Sequence, residues 1–381
     1  MHSGLGDGGS GQFEKPPADL DSALRLALIP GVGPRLRQLL LQRFETPLGV
    51  LAAAPSELRG VQGIGPKLAN AILDAHKIDV AGEIELCQRH NLRILVESDP
   101  AYPRLLREIP DPPGVIFQQG QLLPQDALAI AIVGSRHASV YGLQQAERLA
   151  ASLSRAGLTI ISGLARGVDG AAHRGTLAAG GRTIAVLGSG VLNIYPPEHK
   201  KLAEEVAAQG AVLSEAPPLA APIAGVFPQR NRIISALSLG VIVVEASDRS
   251  GALITARHAM EQGRDVFAVP GRVDSRMSRG PHRLIRDGAK LIESADDVLE
   301  ELGPLVEATS KGDGQKVHHP AELLLNEPEQ QVLAAVRSDT TTIDEIIAAC
   351  QLASPQVLST LTVLEMRRLI RRVSGFAFIR L

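Results

Sequence analysis

Between Ala129 and Asp169 the apolar positions change period twice. Ile130–Val133 is an unbroken apolar run, the pattern of a strand buried on both faces. After Gly134-Ser135-Arg136, Leu143, Ala146, Leu149, Ala150 and Leu153 recur at helical spacing, Gly157 stops the helix, and Leu158–Ile161 is a second apolar run ending at Ser162-Gly163. The same alternation continues. Strands are predicted at Thr183–Leu187, Ala211–Ser214, Val241–Glu245 and Val266–Val269, with helical stretches around Ala171–Ala179, Lys200–Gln209, Asn231–Leu239 and Leu253–Gln262. Strand and helix in turn predict a doubly wound parallel sheet, whose turns after the strands face one crevice.

The flanks are patterned differently. Residues 1–18 are Gly- and Pro-rich without periodicity and are expected to be disordered. Over residues 19–85 a small motif occurs twice, Ile29-Pro30-Gly31-Val32-Gly33-Pro34-Arg35 and Val61-Gln62-Gly63-Ile64-Gly65-Pro66-Lys67, each leading into a helix. This resembles the helix-hairpin-helix, in which hairpin amides and a helix N-terminus approach a nucleic-acid phosphate. Residues 1–80 hold 8 basic and 8 acidic side chains, so a helix-packing or protein-contact role for the pair stands beside the nucleic-acid one. Leu92–Glu97 and the run after Pro112-Pro113-Gly114 read as strands extending the sheet at its edge, giving a central domain over 86–300. A polar linker follows over 301–326. Residues 327–381 then show helices near Glu329–Arg337, Thr342–Ala349 and Ser354–Arg368 and a hairpin from Leu369 to Ile379, which is the winged-helix plan. Its Arg367, Arg368, Arg371, Arg372 and Arg380 suit DNA; an apolar face there suits a protein contact.

Composition narrows the chemistry. At 381 residues with 45% hydrophobic and 21% charged content, the chain is that of a globular protein of two or three domains. No run of about 18 apolar residues and no signal-type N-terminus occurs, so a cytoplasmic protein without a membrane segment is expected. Cys87 and Cys350 are isolated and no Cys/His spacing suggests a metal. Charge is uneven: Ile130–Lys290 carries 19 Lys/Arg against 12 Asp/Glu, a balance of +7, which leaves −9 for the rest of a chain of net charge −2. An anionic partner for the central part fits that asymmetry. Aromatic content is 3% with no Trp, so single-stranded nucleic acid would have to be held by Arg, backbone and very few rings.

The polar residues sit in the turns. Gly134, Ser135 and Arg136 form a possible phosphate cradle, in which amides, hydroxyl and guanidinium act together. Its single glycine is not the dinucleotide pattern, which disfavours a nicotinamide cofactor; no cofactor is implied elsewhere. Ser162 and Gly163 lead to Arg166, Asp169 and His173. Phe227-Pro228-Gln229-Arg230-Asn231-Arg232 reads as lying just before a helix, and Ser250-Gly251 as a small-residue entry into another. Arg166, His173, Arg230 and Arg232 either meet an anion or pair with Glu198, Glu215, Glu245 or Asp169. Two Arg at a helix start are unfavourable beside its positive end unless an anion compensates. The basic run Arg264–Lys290 is either a solvated face or a groove tracking a phosphate backbone.

Taken in order, Gly134-Ser135-Arg136, Ser162-Gly163-Leu164-Ala165-Arg166-Gly167-Val168-Asp169 with His173, Tyr195-Pro196, Leu213-Ser214-Glu215, Phe227-Pro228-x-Arg230-Asn231-Arg232, Ser250-Gly251-x-Leu253-Ile254-Thr255-Ala256 and Val269-Pro270-Gly271 closely resemble the DprA/Smf family of bacterial natural transformation. The resemblance is dense over Tyr102–Glu293. It implies an extended Rossmann domain that binds single-stranded DNA without sequence preference, protects incoming strands and loads the RecA recombinase. It also implies a homodimer formed through the central domain. The aliphatic stretches Ile233–Leu239 and Val241–Val244 serve either as that interface or as ordinary core. Carried over by position, the DNA and phosphate contacts are Gly134, Ser135, Arg136, Ser162, Gly163, Arg166, Phe227, Arg230, Asn231, Arg232, Ser250 and Gly251, with no catalytic residue. Val226 stands where the family often has Asn, which removes one polar contact.

Two other functions compete. A nucleotide or sugar-phosphate hydrolase of the lysine-decarboxylase-like group shares a related core, but needs a matched carboxylate pair and a PGGxGTxxE signature missing here. A winged-helix regulator would bind duplex DNA tightly and read its sequence.

Overall fold

The computed structural model describes residues 17–223, 225–306, 325, 327–337, 340–350, 352–366, 369–374 and 377–380. The expected disorder before residue 17, most of the expected linker and Arg367-Arg368 lie outside the described residues. The chain divides into two compact units, one comprising residues up to His90 with Ile94–Tyr102 and Pro110–Val115, the other the remainder.

The first unit holds helices α1 (Leu20–Ala27), α2 (Pro34–Phe44), α3 (Pro47–Ala52), α4 (Pro55–Arg59), α5 (Pro66–Leu73) and α6 (Val80–Arg89), followed by strand β1 (Arg93–Val96). The sequence repeat is also a backbone repeat. Gly31 and Gly63 both have φ +93°, a left-handed conformation that favours glycine, and Gly33 and Gly65 precede Pro at the first position of α2 and α5 with near-identical angles. Leu26, Ile29, Leu40, Leu58, Ile64 and Ile72 pack between the hairpins. Arg37 on α2 donates to Glu97 (2.9 Å) and to the Pro112 carbonyl (3.1 Å).

The second unit begins with α7 (Arg104–Arg107) and is built on β2 (Val115–Gly120), β3 (Ala129–Val133), β4 (Thr159–Ser162), β5 (Thr183–Leu187), β6 (Ala211–Ser214), β7 (Gly240–Val243), β8 (Asp265–Ala268) and β9 (Lys290–Leu291). Their order across the sheet is β2-β6-β5-β4-β3-β7-β8-β9. All pairings from β6 to β9 are parallel, and β2 pairs antiparallel with β6, with Phe117 opposite Ser214. The connecting helices are α8 (Val140–Arg155), α9 (Val168–Ala178), α10 (Lys200–Gln209), α11 (Val226–Ala236), α12 (Gly251–Glu261), α13 (Arg279–Arg286) and α14 (Ala295–Val306). Chain order runs from β3 outward through β4 and β5 to β6, then returns to β7 on the other side of β3. Strand β3 is therefore where the winding reverses, the place where such sheets form a crevice.

One expectation changes and two open alternatives are narrowed. The helix predicted from Asn231 begins at Val226, because Pro228 in a first turn removes no needed N–H, so Arg230 and Arg232 lie inside the helix. The basic run includes α13, and most of its charges have local partners, as in Arg272 with Asp274, Arg279 with Asp248, Arg283 with Asp287 and Lys290 with Glu301. Ile233, Ile234, Ala236, Leu237 and Val241–Val244 are all buried within one copy, which makes these stretches core and removes them as an interface.

At the C-terminal end, α15 (Glu327–Ala335), α16 (Ile343–Ala349) and α17 (Ser354–Met366) accompany β10 (Thr341–Thr342), β11 (Ile370–Ser374) and β12 (Ala377–Arg380), with β12 central and antiparallel to both neighbours. This is the expected winged helix, with a third strand that is too short to show in the pattern.

Candidate nucleic-acid interface

The turns after β3, β4, β5 and β7 and the start of α11 enclose a cleft of about 610 Å³. Gly134, Ser135, Arg136, Phe227, Arg230, Asn231, Ser250 and Gly251, all expected from sequence, line it together. Ile234, Ile254 and Thr255 add a largely apolar floor. A smaller recess beside it is formed by Arg136, Gly163, Arg166, Tyr195 and Phe227.

The first turn does not work as a plain phosphate cradle. Glu245, at the end of β7, reaches the start of α8, where its carboxylate accepts from the Ser139 N–H (2.8 Å) and hydroxyl (2.6 Å). A side chain at Gly142 would meet that carboxylate at 2.4 Å, so glycine is required there. The Ser135 N–H donates to the Glu245 carbonyl (2.6 Å), and Ser135 Oγ accepts from the His137 N–H (3.1 Å). The positive end of α8 is thus occupied by the protein's own carboxylate. What the turn offers to an outside anion is the exposed Arg136 guanidinium.

Arg230 is built into the wall. It is 5% exposed and donates to the carbonyls of Gly163 (2.8 Å) and Val186. A Cβ at Gly163 would lie 2.7 Å from both Arg230 and the buried Asp169 carboxylate, so the two side chains converge there only because that residue is glycine. Burial lowers the Arg230 pKa to about 10, with Asp169 opposing the shift, and the group remains a cation at neutral pH. Burial likewise raises Asp169 above the usual carboxylate range, against the pull of Arg230, the Ala165 N–H and Arg136. Asn231 accepts from Arg230 (3.3 Å) and donates to the Gly251 carbonyl (3.2 Å), which ties α11 to the entry of α12. Ser250 caps α12 by accepting from the Ala252 N–H (3.3 Å).

At the lip, cations lie over rings. Arg136 is 5.2 Å from the Phe227 ring centroid and Arg166 is 5.8 Å from that of Tyr195, while the two rings stand 6.0 Å apart, tilted by 50°. Arg166 is also held by Glu198 at 2.5 Å. That pair raises the Arg166 pKa and lowers that of Glu198.

Two residues expected at the site, Ser162 and Arg232, stand elsewhere, and His173, left open between an anion contact and an ion pair, is in the core. Ser162 is fully buried and donates to the Ile132 carbonyl (2.6 Å) inside the sheet. Arg232 is buried and bonded to Glu215 (2.8 Å). His173 is buried, with Nδ1 bonded to Thr183 Oγ1 (2.8 Å) and Nε2 without a partner; burial, helped by His199, Arg174 and Arg230, lowers its pKa to about 3. Tyr195 and Asp169 are the residues that sequence reasoning left out of the site. Tyr195 was signalled by the scarcity of rings, since 3 Tyr and 7 Phe are all the chain has.

Among the described residues no group of His, Cys, Asp and Glu could hold a metal ion, and no single helix is long and apolar enough to cross a membrane. Burial pushes the Cys87 thiol up to about 12, which leaves it inert.

Comparison with known proteins gives three family matches: DNA recombination-mediator protein A over residues 93–303, the DprA winged helix domain over 317–375 and the SAM-like helix-hairpin-helix tandem over 23–77. Protein Smf of Synechocystis sp. is 37% identical over 383 residues, covering 92% of this chain and 96% of that protein. The DNA processing protein DprA of Bacillus subtilis is 48% identical over 206 residues, covering 54% of this chain and 69% of that one. Among solved structures, DprA from Streptococcus pneumoniae superposes with a TM-score of 0.66 at 37% identity, covering 74% of this chain and 97% of that one. DprA from Helicobacter pylori, described for its single-stranded DNA binding mode, gives 0.50 at 31% identity, covering 55% and 95%.

Proposed function

Because the chain belongs to the DNA recombination-mediator protein A family, the DprA/Smf proteins, we propose that it binds single-stranded DNA without reading sequence, shields the strand and passes it to the RecA recombinase. It acts in the cytoplasm as a homodimer and performs no bond chemistry. The observation that carries this reading is the lip of the cleft, where the exposed Arg136 guanidinium lies over the Phe227 ring. A cation meets any phosphate and a ring face meets any base, so such a site grips a strand without selecting its sequence. The single-strand binding described for the Helicobacter pylori protein supports the same assignment. Asp169 is the only carboxylate among the described residues lining the cleft, and its ties to Arg230 and the turn amides leave no second acid to form a catalytic pair. Two copies holding one strand would gain affinity through effective concentration without new contacts.

Fluorescence polarisation tests the reading. A labelled single strand should bind more tightly than a duplex of the same length, and log affinity should fall with log salt by about 0.7 per phosphate neutralised. Equal affinity for the duplex, or a response flat in salt, would count against it.

A further inference from the structure

Among the described residues Tyr141 is the one aromatic side chain that is exposed. It lies at the second position of α8, is 45% exposed, and its hydroxyl donates to the Pro270 carbonyl at 2.9 Å. An exposed tyrosine bonded at its hydroxyl to a loop 129 residues away is fixed in orientation with its ring open to solvent. Its sequence neighbours at both ends of that bond include exposed aliphatic and basic residues. Val140 is 71% exposed, Val273, three residues beyond Pro270, is 91% exposed, and Arg272 and Arg276 are exposed on the same loop. Arg272 pairs with Asp274 at 2.9 Å. Arg136, at the lip of the cleft, is five residues before Tyr141, so the two backbones are at most about 18 Å apart.

We infer that the Tyr141 ring is a second stacking platform, taking an unpaired nucleobase of the same DNA strand after it leaves the Arg136–Phe227 cleft. The inference rests on the single-strand reading of that cleft. A partner with a flat apolar face and a negative charge beside it matches an exposed ring held to a loop that carries exposed arginines, and a nucleotide has both. The competing role for Tyr141 is a staple, in which the hydroxyl bond to Pro270 matters and the ring does not.

The two roles separate by substitution and strand length. Affinity is measured by polarisation for oligothymidylates of about six and about twenty nucleotides, the first sized to the cleft alone. Tyr141→Ala should weaken the longer strand roughly fivefold or more while leaving the shorter one unchanged, and Tyr141→Phe should bind both like the parent. If Tyr141→Phe loses as much as Tyr141→Ala, or if Tyr141→Ala holds the long strand at full affinity, the platform is refuted. A second readout survives a poorly folded alanine variant. The chain has no Trp and 3 Tyr, so tyrosine emission is visible, and stacking quenches it. Quenching of the parent protein by the long strand should shrink in Tyr141→Phe; identical quenching in both would also overturn the inference. A parent protein that binds neither strand would instead refute the underlying single-strand reading.

Discussion

Arg136 and Arg230 line the same cleft and carry the same charge, yet only the removal of Arg230 should cost stability. Arg230 is 5% exposed, donates to two backbone carbonyls on neighbouring strand ends and faces the buried Asp169 carboxylate. Truncating it to Ala leaves those carbonyls without their donor and Asp169 without its balancing charge. Breaking one side of a buried charged arrangement costs about 3–5 kcal/mol. At about 2–4 °C per kcal/mol for a domain of this size, Arg230→Ala should melt roughly 6–20 °C lower, and its DNA binding should fall because the wall of the cleft is lost. Arg136 is exposed and rests on a ring, so Arg136→Ala should melt within about 2 °C of the parent while losing phosphate contacts and single-strand affinity. Thermal unfolding and polarisation on both variants check this together. An Arg230→Ala protein with the parent's melting temperature and no DNA binding would refute the reasoning, since it would make Arg230 a direct DNA contact and not part of the wall.

Acid should expose His173. Its pKa is lowered from 6.5 to about 3 in the folded protein, so the unfolded chain binds the extra proton between those values and stability falls as pH drops below about 6.5, by about 1.4 kcal/mol per unit at most. Urea unfolding at stepped pH should show His173→Gln with a flatter acid limb; parallel profiles would exclude this histidine as the cause. The proposed strand contact at Arg166 requires DNA to displace Glu198, so Glu198→Gln should raise single-strand affinity about two- to fivefold and steepen the salt slope by about 0.7, and unchanged binding would place Arg166 off the strand's path.

The sheet was legible in the sequence because its strands are apolar on both faces. Thr183–Leu187 and Ala211–Ser214 fall where their runs predict. The start of α11 was not, because Pro228 reads as a breaker when its place in the first turn is unknown. Most of the cleft was visible as small and polar residues after strands. Direction was invisible, since spacing alone cannot tell that Ser162 and Arg232 point into the protein while Arg136 points out. Nor can it tell that Glu245, more than a hundred residues from Ser139, takes the position at the start of α8 that the glycine turn suggests for a phosphate.

The central claim is that the strand lies in the cleft at the end of β3. Photocrosslinking of an iodouracil-substituted single strand to the full-length protein, followed by peptide mapping, tests it most directly. The account predicts crosslinks on the peptides containing Tyr195 and Phe227, lost in Arg136→Ala. Crosslinks confined to the helix-hairpin-helix unit or to the winged helix, with none on those two peptides, would contradict it.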